Sequence, residues 1–368
     1  VVPALAVAEA LRAHGAEVSV VTPGGRAGAG LAGAAGFPED HIPLRGLDRR
    51  PGLGTVRAVA LALAAVPRAL RILRRRRADV VLTAGGYMAA PVALAARLRR
   101  RRVVAMEADS HLGLANRLVA PLAHRMALAH PLPGRRGRRY VVTGRPVRRA
   151  VLEATRTSGR RAFGVQPDET VVLVVGGSQG ARSINHAAAD AFGVAPPFTV
   201  LHVAGPRQVD EVRALLAARA DGAGFSPRYR LEGFLDNLPE AVAAADLVVS
   251  RSGGSVFELA AIGRPSILVP YPHATADHQT LNARWLVEAG GAVLLPDAEC
   301  TGPRLRELVG ALLSDRRRLA AMADGARLAA RPEAADEIAG MVLEAARRRR
   351  RAGRLRRGRR APADGAVR

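Results

Sequence analysis

The sequence predicts an α/β protein made of two doubly wound, mostly parallel halves. Three observations carry this. Short Val- and Leu-rich runs alternate with amphipathic helical stretches from end to end. The runs lack polar alternation, as strands covered on both faces do. The alternation also starts afresh after a polar, turn-rich stretch at 150–168. A chain of 368 residues is long enough for two such cores.

The elements follow in order. The chain opens at Val1-Val2-Pro3, without Met and directly on a helix, so its start is expected to be missing. Strands are expected at 17–23, 78–87, 101–109 and 139–147, each leaving into a Gly- or acid-containing loop. A second series is expected at 170–180, 198–205, 229–234, 246–254 and 265–272, followed by helices at 302–314 and 316–330. The domains read as 1–150 and 165–330, with a terminal helix at 331–346 packing back towards the first. The segment 347–368, basic and poor in apolar residues, reads as a disordered tail.

Composition narrows the class. Apolar residues make up 49% and aromatics only 3%, so the cores must be built from Ala, Val and Leu. All 56 basic residues are Arg, a bias that fits GC-rich codons, and the net charge is +24. The tail after Ala346 holds eleven Arg and one Asp. Such a balance suits an anionic partner, whether a membrane surface, a phosphorylated substrate or nucleic acid. Scarce aromatics leave no base-stacking platform and no zinc-finger spacing appears, so no specific nucleic acid is expected, although the tail could hold phosphates nonspecifically. One cysteine, Cys300, excludes a disulfide framework. No apolar run reaches the roughly 18–20 residues of a membrane-spanning helix.

Five stretches carry chemistry. "VVLVVGGSQGARSIN" (171–185) is a buried strand, a Gly-Gly turn and a helix entry, a build that can cradle a phosphate or serve simply as a turn. It has no Gly-Lys-Ser/Thr and no dinucleotide spacing. "SRSGGSVFELAAIG" (250–263) repeats the device: Gly253, Gly254 and Ser255 open a helix whose free N–H groups attract an anion. Glu258 there either complements the helix dipole or accepts the vicinal hydroxyls of a ribose. "PYPHATADHQTLNARW" (270–285) crowds His273, Asp277, His278, Gln279 and Asn282 at a strand end. Gln and Asn both donate and accept, which suits sugar hydroxyls, while Asp277 can equally cap the helix. In the first half, "TAGGYMAAP" (83–91) sets Tyr87 after a Gly-Gly turn, and "MEADSHLGLANR" (106–117) sets Glu107 and Asp109 at another strand end. Either carboxylate could act as a general base or be an ordinary turn acid.

Taken together, "PALAVAEALRAHG", "TAGGY", "GLANR", "TGRPVRR", "VVGGSQGARSIN", "SRSGG…FELAAIGRPSILVPYP" and "HQTLNA", in that order over residues 1–345, resemble the GT-B glycosyltransferases that complete lipid II in bacterial cell-wall synthesis, the undecaprenyldiphospho-muramoylpentapeptide N-acetylglucosaminyltransferases of family 28. The resemblance implies two Rossmann-like domains facing a cleft. It implies transfer of GlcNAc from UDP-GlcNAc to a polyprenyl-diphosphate-linked acceptor, by a peripheral protein at the cytoplasmic face of the membrane. It gives Arg148, Ser178 and Gln179 to the nucleotide sugar, Leu235 main chain to the uracil, Gly253–Ser255 to the diphosphate and Glu258 to the ribose. His278, Gln279 and Asn282 fall to the GlcNAc hydroxyls. Tyr87, Glu107 and Asp109 fall to the acceptor side, with Asp109 the first choice as base and Glu107 the second. No cofactor and no metal are implied, since no Asp-x-Asp motif accompanies these loops.

The chain departs from the pattern in places. The Gly-rich loop that opens the family is absent, Met106-Glu107-Ala108-Asp109 stands where the family often reads His-Glu-Gln-Asn, and Arg145 replaces the Asn of Gly-Asn-Pro-Val-Arg. The helix entry before Glu258 is also one residue shorter than in many relatives. A membrane-facing stripe is expected at 56–79, where Leu61, Leu63, Val66, Leu70, Ile72 and Leu73 alternate with Arg68, Arg71 and Arg74–Arg77, unless the stripe packs on the sheet. Rival readings are another lipid glycosyltransferase, a UDP-GlcNAc 2-epimerase, a nucleic-acid-binding protein, or an inactive sugar-nucleotide-binding protein.

Overall fold

The computed structural model describes residues 1–23, 30–44, 53–177, 180–219 and 226–358. They fall into two units, residues 1–148 with the chain from Glu333 onward, and residues 149–332.

The first unit contains α1 (Val2–Ala13), β1 (Val20–Thr22), α2 (Leu31–Ala34), β2 (Glu39–His41), α3 (Leu53–Arg75), β3 (Val80–Thr83), α4 (Ala89–Leu98), β4 (Arg102–Glu107), α5 (Leu114–Val119), β5 (Arg125–Leu128) and β6 (Tyr140–Val142). Strands β3 to β6 form a parallel sheet in chain order, and β1 and β2 form a separate parallel pair. The unbroken apolar run of β4 has a simple cause. Val103 and Ala105 face a core shared with α3 and α4, while Val104 and Met106 face a second core shared with α1. Both sides are covered, so neither set can be polar.

The second unit contains α6 (Arg149–Glu153), α7 (Arg156–Ala162), β7 (Val171–Val175), α8 (Arg182–Phe192), β8 (Thr199–Val203), α9 (Val209–Arg219), β9 (Tyr229–Glu232), α10 (Leu238–Ala244), β10 (Leu247–Ser250), α11 (Ser255–Ile262), β11 (Ser266–Leu268), α12 (His278–Glu288), β12 (Ala292–Leu294), α13 (Gly302–Ser314) and α14 (Arg316–Ala329). Its six-stranded sheet is parallel throughout, in the order β9-β8-β7-β10-β11-β12. The strand order reverses between β7 and β10. That reversal is the position where open α/β sheets bind ligands, outside the carboxyl ends of the strands. Side chains at 172 and 174 enter one core and those at 171, 173 and 175 the other.

Two expectations need correcting, and one left open is decided by burial. The stretch at 150–168, expected to be turn-rich between the two domains, is partly helical and belongs to the second unit: α7 starts on a Thr155–Ser158 capping box, and Arg156 and Arg160 pair with Asp246 at 2.7 and 3.0 Å. The terminal helix, α15, runs from Ala334 to Gly358 rather than ending near 346. Its first half buries Ile338, Ala339, Val342 and Ala345 against α1 and the first sheet. Beyond them Ala, Arg and Leu are strong helix formers, and the ladder continues past the single interior Gly353; residues 359–368 lie outside the described residues. Finally, Val66 and Leu73 of α3 are buried, and Leu61, Leu70 and Ile72 pack on the same core. Of the apolar stripe named above only Leu63 is well exposed, at 61%.

Candidate functional site

In the second unit three loops leave neighbouring strand ends. Val175 of β7 sits beside Ser250 of β10, which sits beside Leu268 of β11. The turns at 176–181, 251–254 and 269–277 therefore rise from one edge of the sheet. The first depends on glycine for space: a Cβ on Gly176 would lie 2.3 Å from the Ala181 nitrogen, and one on Gly180 (φ +76°) would lie 2.4 Å from the Ala204 oxygen. Ser178 and Gln179 lie outside the described residues.

The second turn opens α11. No side chain caps that helix, and its turn-closing bonds begin with Val256 N–H to Gly253 O (3.3 Å) and Phe257 N–H to Gly254 O (3.4 Å). The amides of Gly253, Gly254 and Ser255 thus precede the helical ladder, at the positive end of the dipole. A Cβ built on Gly253 meets nothing within 4 Å, so the approach is open. Glu258 lies in the first turn, half-buried. Phe257 stacks on Trp285 with centroids 4.8 Å apart, fixing α11 against α12.

One residue ties these loops together, and the sequence reading gave it no role. Arg251 donates through Nη1 to the carbonyls of Val269 and Pro270 (both 3.2 Å) and to Asp297 Oδ1 (2.5 Å), and through Nη2 to Ser183 Oγ (2.9 Å). Ser183 also donates to Asp297, at 2.6 Å. A guanidinium only 12% exposed therefore joins the start of α8, the loop after β11 and the turn after β12. Nothing in the sequence separates Arg251 from the other arginines.

The third loop carries the residues expected at a sugar. Tyr271 N–H donates to Gln279 Oε1 (2.9 Å), so the amide oxygen of Gln279 is engaged by the loop, and its NH2 is the group suited to donate. His278 opens α12 beside it. Ala276 and Asp277 both hold φ near +51°, a costly conformation for non-glycine residues and one that gathers at ligand loops. Asp277 does not cap the helix backbone; its carboxylate instead accepts from Thr280 Oγ1 at 2.6 Å. Asn282 differs from expectation. It is 1% exposed and donates to the Ser252 carbonyl at 3.2 Å, so it braces the α11 turn from beneath rather than presenting itself to a ligand. Leu235 is half-buried after β9, next to an exposed Phe234.

Beneath the first turn lies a buried polar chain, also unforeseen. Tyr229 Oη donates to His202 Nδ1 (2.6 Å), His202 Nε2 donates to Asn185 Oδ1 (3.0 Å), and Asn185 Nδ2 donates to Ala204 O (2.9 Å) and Gln208 Oε1 (2.8 Å). Burial holds His202 neutral, with its pKa lowered to about 3. The chain ends against Gly180, whose Cβ position lies 2.9 Å from Gln208 Nε2.

In the first unit, the two carboxylates at the end of β4 have different surroundings. Glu107 is 7% exposed and accepts from Asp109 N–H (3.2 Å), Gly113 N–H (2.9 Å) and Asn116 Nδ2 (3.0 Å). Both of its oxygens accept from the loop. Asp109 is 47% exposed and pairs with Arg145 at 3.3 Å. His130, after β5, is held neutral by burial and then by Arg145, with Asp109 opposing. Gly85 and Gly86, at φ +77° and +72°, make the turn before Tyr87, and Gly85 packs on Asn116. Tyr87 leans on the core. Arg148, expected at the nucleotide sugar, donates instead to Glu9 of α1 at 2.7 and 3.0 Å. Among the described residues no three of His, Cys, Asp and Glu gather closely enough to hold a metal ion.

Comparison with known proteins adds the following. Residues 1–128 match the glycosyltransferase family 28 N-terminal domain and residues 171–338 the family 28 C-terminal domain. A UDP-N-acetylglucosamine–N-acetylmuramyl-(pentapeptide) pyrophosphoryl-undecaprenol N-acetylglucosamine transferase of Halorhodospira halophila is 43% identical, covering 94% of this chain and 95% of its own. Its namesake in Acidothermus cellulolyticus is 40% identical, covering 95% of each. Among solved structures, MurG of Acinetobacter baumannii superposes with a TM-score of 0.70 at 30% identity, covering 93% of this chain and 95% of its own. A UDP-GlcNAc 2-epimerase from Neisseria meningitidis shares the fold at 15% identity, with a TM-score of 0.66 over 93% of this chain and 96% of its own.

Proposed function

The chain belongs to glycosyltransferase family 28, and from that premise we propose that it moves GlcNAc from UDP-GlcNAc to the 4-hydroxyl of the muramoyl-pentapeptide borne on undecaprenyl diphosphate. It is a hexosyltransferase of GT-B architecture. The observation that carries the donor half is the uncapped, open N-terminus of α11 at the point where the strand order reverses. The diphosphate accepts from the amides of Gly253, Gly254 and Ser255, Glu258 accepts from the ribose hydroxyls, and the main chain at Leu235 meets the uracil. Gln279 donates its NH2 to a sugar hydroxyl, with His278 beside it. Ser178, Gln179 and Arg148 rest on the family resemblance alone, and Arg148 must leave Glu9 to serve.

The chemistry is a single displacement with inversion. The acceptor oxygen forms a bond to the anomeric carbon while the bond to the β-phosphate oxygen breaks. The proton of the hydroxyl passes to Asp109, and the charge that develops on UDP falls on amides already aimed at it, so no reorganisation is needed as the bond breaks. Asp109 takes this role because Glu107 is committed to the loop. Tyr87 lines the acceptor side.

A polyprenyl-linked acceptor calls for work at the cytoplasmic membrane face. No helix among the described residues is long and apolar enough to cross a membrane. The outer face of α3, with Leu63 beside Arg68, Arg71 and Arg74, suits peripheral contact with an anionic surface. Transfer of radiolabelled GlcNAc to a panel of acceptors tests the proposal. Label on the polyprenyl-diphospho-muramoyl peptide alone supports it. Label on diacylglycerol, or conversion of UDP-GlcNAc to its 2-epimer without acceptor, would replace it.

A further inference from the structure

We propose that Arg145 is a positioning residue for the acceptor half of the reaction, acting through Asp109. The inference rests on the transferase reading above and goes beyond the family resemblance, because Arg145 stands where that pattern has Asn. Asp109 is held from both sides of its peptide. Its own N–H donates to Glu107 Oε1 at 3.2 Å. The carbonyl before it, of Ala108, accepts from Arg145 Nη1 at 2.7 Å, and the same nitrogen reaches Asp109 Oδ1 at 3.3 Å. One guanidinium thus fixes both the backbone entering Asp109 and one of its two carboxylate oxygens.

Burial supports a rigid clamp. The Arg145 side chain is 17% exposed, whereas Asp109 stays nearly half exposed. Glu107, the other brace, is itself locked by Gly113 N–H and Asn116 Nδ2. Oδ1 of Asp109 faces Arg145, and the exposed part of the carboxylate is left to meet a hydroxyl. Arg145 comes from the loop after β6 and Asp109 from the loop after β4, so the contact also joins two strand-end loops that the sheet alone leaves independent. His130, close enough to feel both charges, is neutral and does not compete for the carboxylate as a cation.

The test is a cycle of Arg145→Met, Asp109→Asn and the double variant in the full chain, read by initial rates at varied acceptor and varied donor. Misplacing a reacting group by an ångström costs up to about 100-fold, so Arg145→Met should lower acceptor kcat/KM by about 10- to 100-fold while UDP affinity stays within about twofold. In the Asp109→Asn background the same change should add less than about a twofold loss, because its route is already gone. Arg145→Lys, which keeps the charge without the planar fork, should recover part of the loss. An equal loss in both backgrounds, or a matching loss of UDP affinity, overturns the proposal. Melting temperatures of the same variants give a readout independent of transfer. If the parent binds UDP yet labels no polyprenyl acceptor, the reaction reading fails alone; additive melting shifts would then still overturn the clamp, and non-additive ones support it.

Discussion

Replacing Arg251 by Met should loosen the donor loops without emptying the core. Met fills similar space but returns none of the four bonds, to Val269 O, Pro270 O, Ser183 Oγ and Asp297 Oδ1. Removing one partner of a buried ion pair costs about 3–5 kcal/mol, and Asp297 is partly reached by water, so the low end, about 3 kcal/mol, applies. For a domain of some 150–250 residues each kcal/mol lowers Tm by about 2–4 °C, which gives a drop of about 6–12 °C. If half of the loss is drawn from the bound state, UDP affinity falls about tenfold. Thermal unfolding with and without UDP, together with a UDP titration, measures both. A variant melting within about 2 °C of the parent and binding UDP within about twofold would refute the reasoning, because a true tie between loops cannot be cut at so small a cost.

Other outcomes follow from the same geometry. Glu258→Ala should weaken UDP, UDP-glucose and UDP-GlcNAc alike, whereas Gln279→Ala should weaken the two sugars more than UDP; equal losses in titration would contradict the role given to Gln279. His202, neutral when folded and with a pKa of about 3 against 6.5 when free, binds its proton only on unfolding across that window. Stability should therefore fall as pH drops from about 6.5 towards 3, by up to about 1.4 kcal/mol per pH unit for this group, and His202→Gln should flatten the urea-midpoint profile. His124 and His130, also shifted down, contribute in the same direction. Gly159→Ala would drive a Cβ to 2.3 Å from the Glu240 oxygen between α7 and α10, so it should cost about 1–3 kcal/mol in denaturant unfolding while leaving UDP affinity unchanged.

What the sequence disclosed, and what it hid, has a physical pattern. The long parallel strands could be read because both faces are buried: the Val-Val-Leu-Val-Val run at 171–175 has no solvent side to make polar. The α11 turn could be read because only glycine and small residues leave amides open there. By contrast, β2 reads Glu39-Asp40-His41, with no apolar residue to mark it as a strand. Arg251 was invisible because charge does not announce burial, and in a chain rich in Arg its bonds come from three different loops. The His202 chain joins β8, β9 and α8, which meet only after folding. The sequence put Asp109 ahead of Glu107 only through the resemblance; the difference in their surroundings, three donors gathered on Glu107, is visible only in the folded loop. The same holds for Asn282, whose polar side chain suggested a sugar contact but lies under the turn it supports.

The central claim is that main-chain amides at the start of α11 hold the nucleotide diphosphate. A structure of the chain with UDP tests it most directly. Phosphate oxygens within about 2.7–3.2 Å of the Gly253, Gly254 or Ser255 nitrogens, with both ribose hydroxyls on Glu258, is the predicted result. A nucleotide seated anywhere else, with those amides still open, would contradict it.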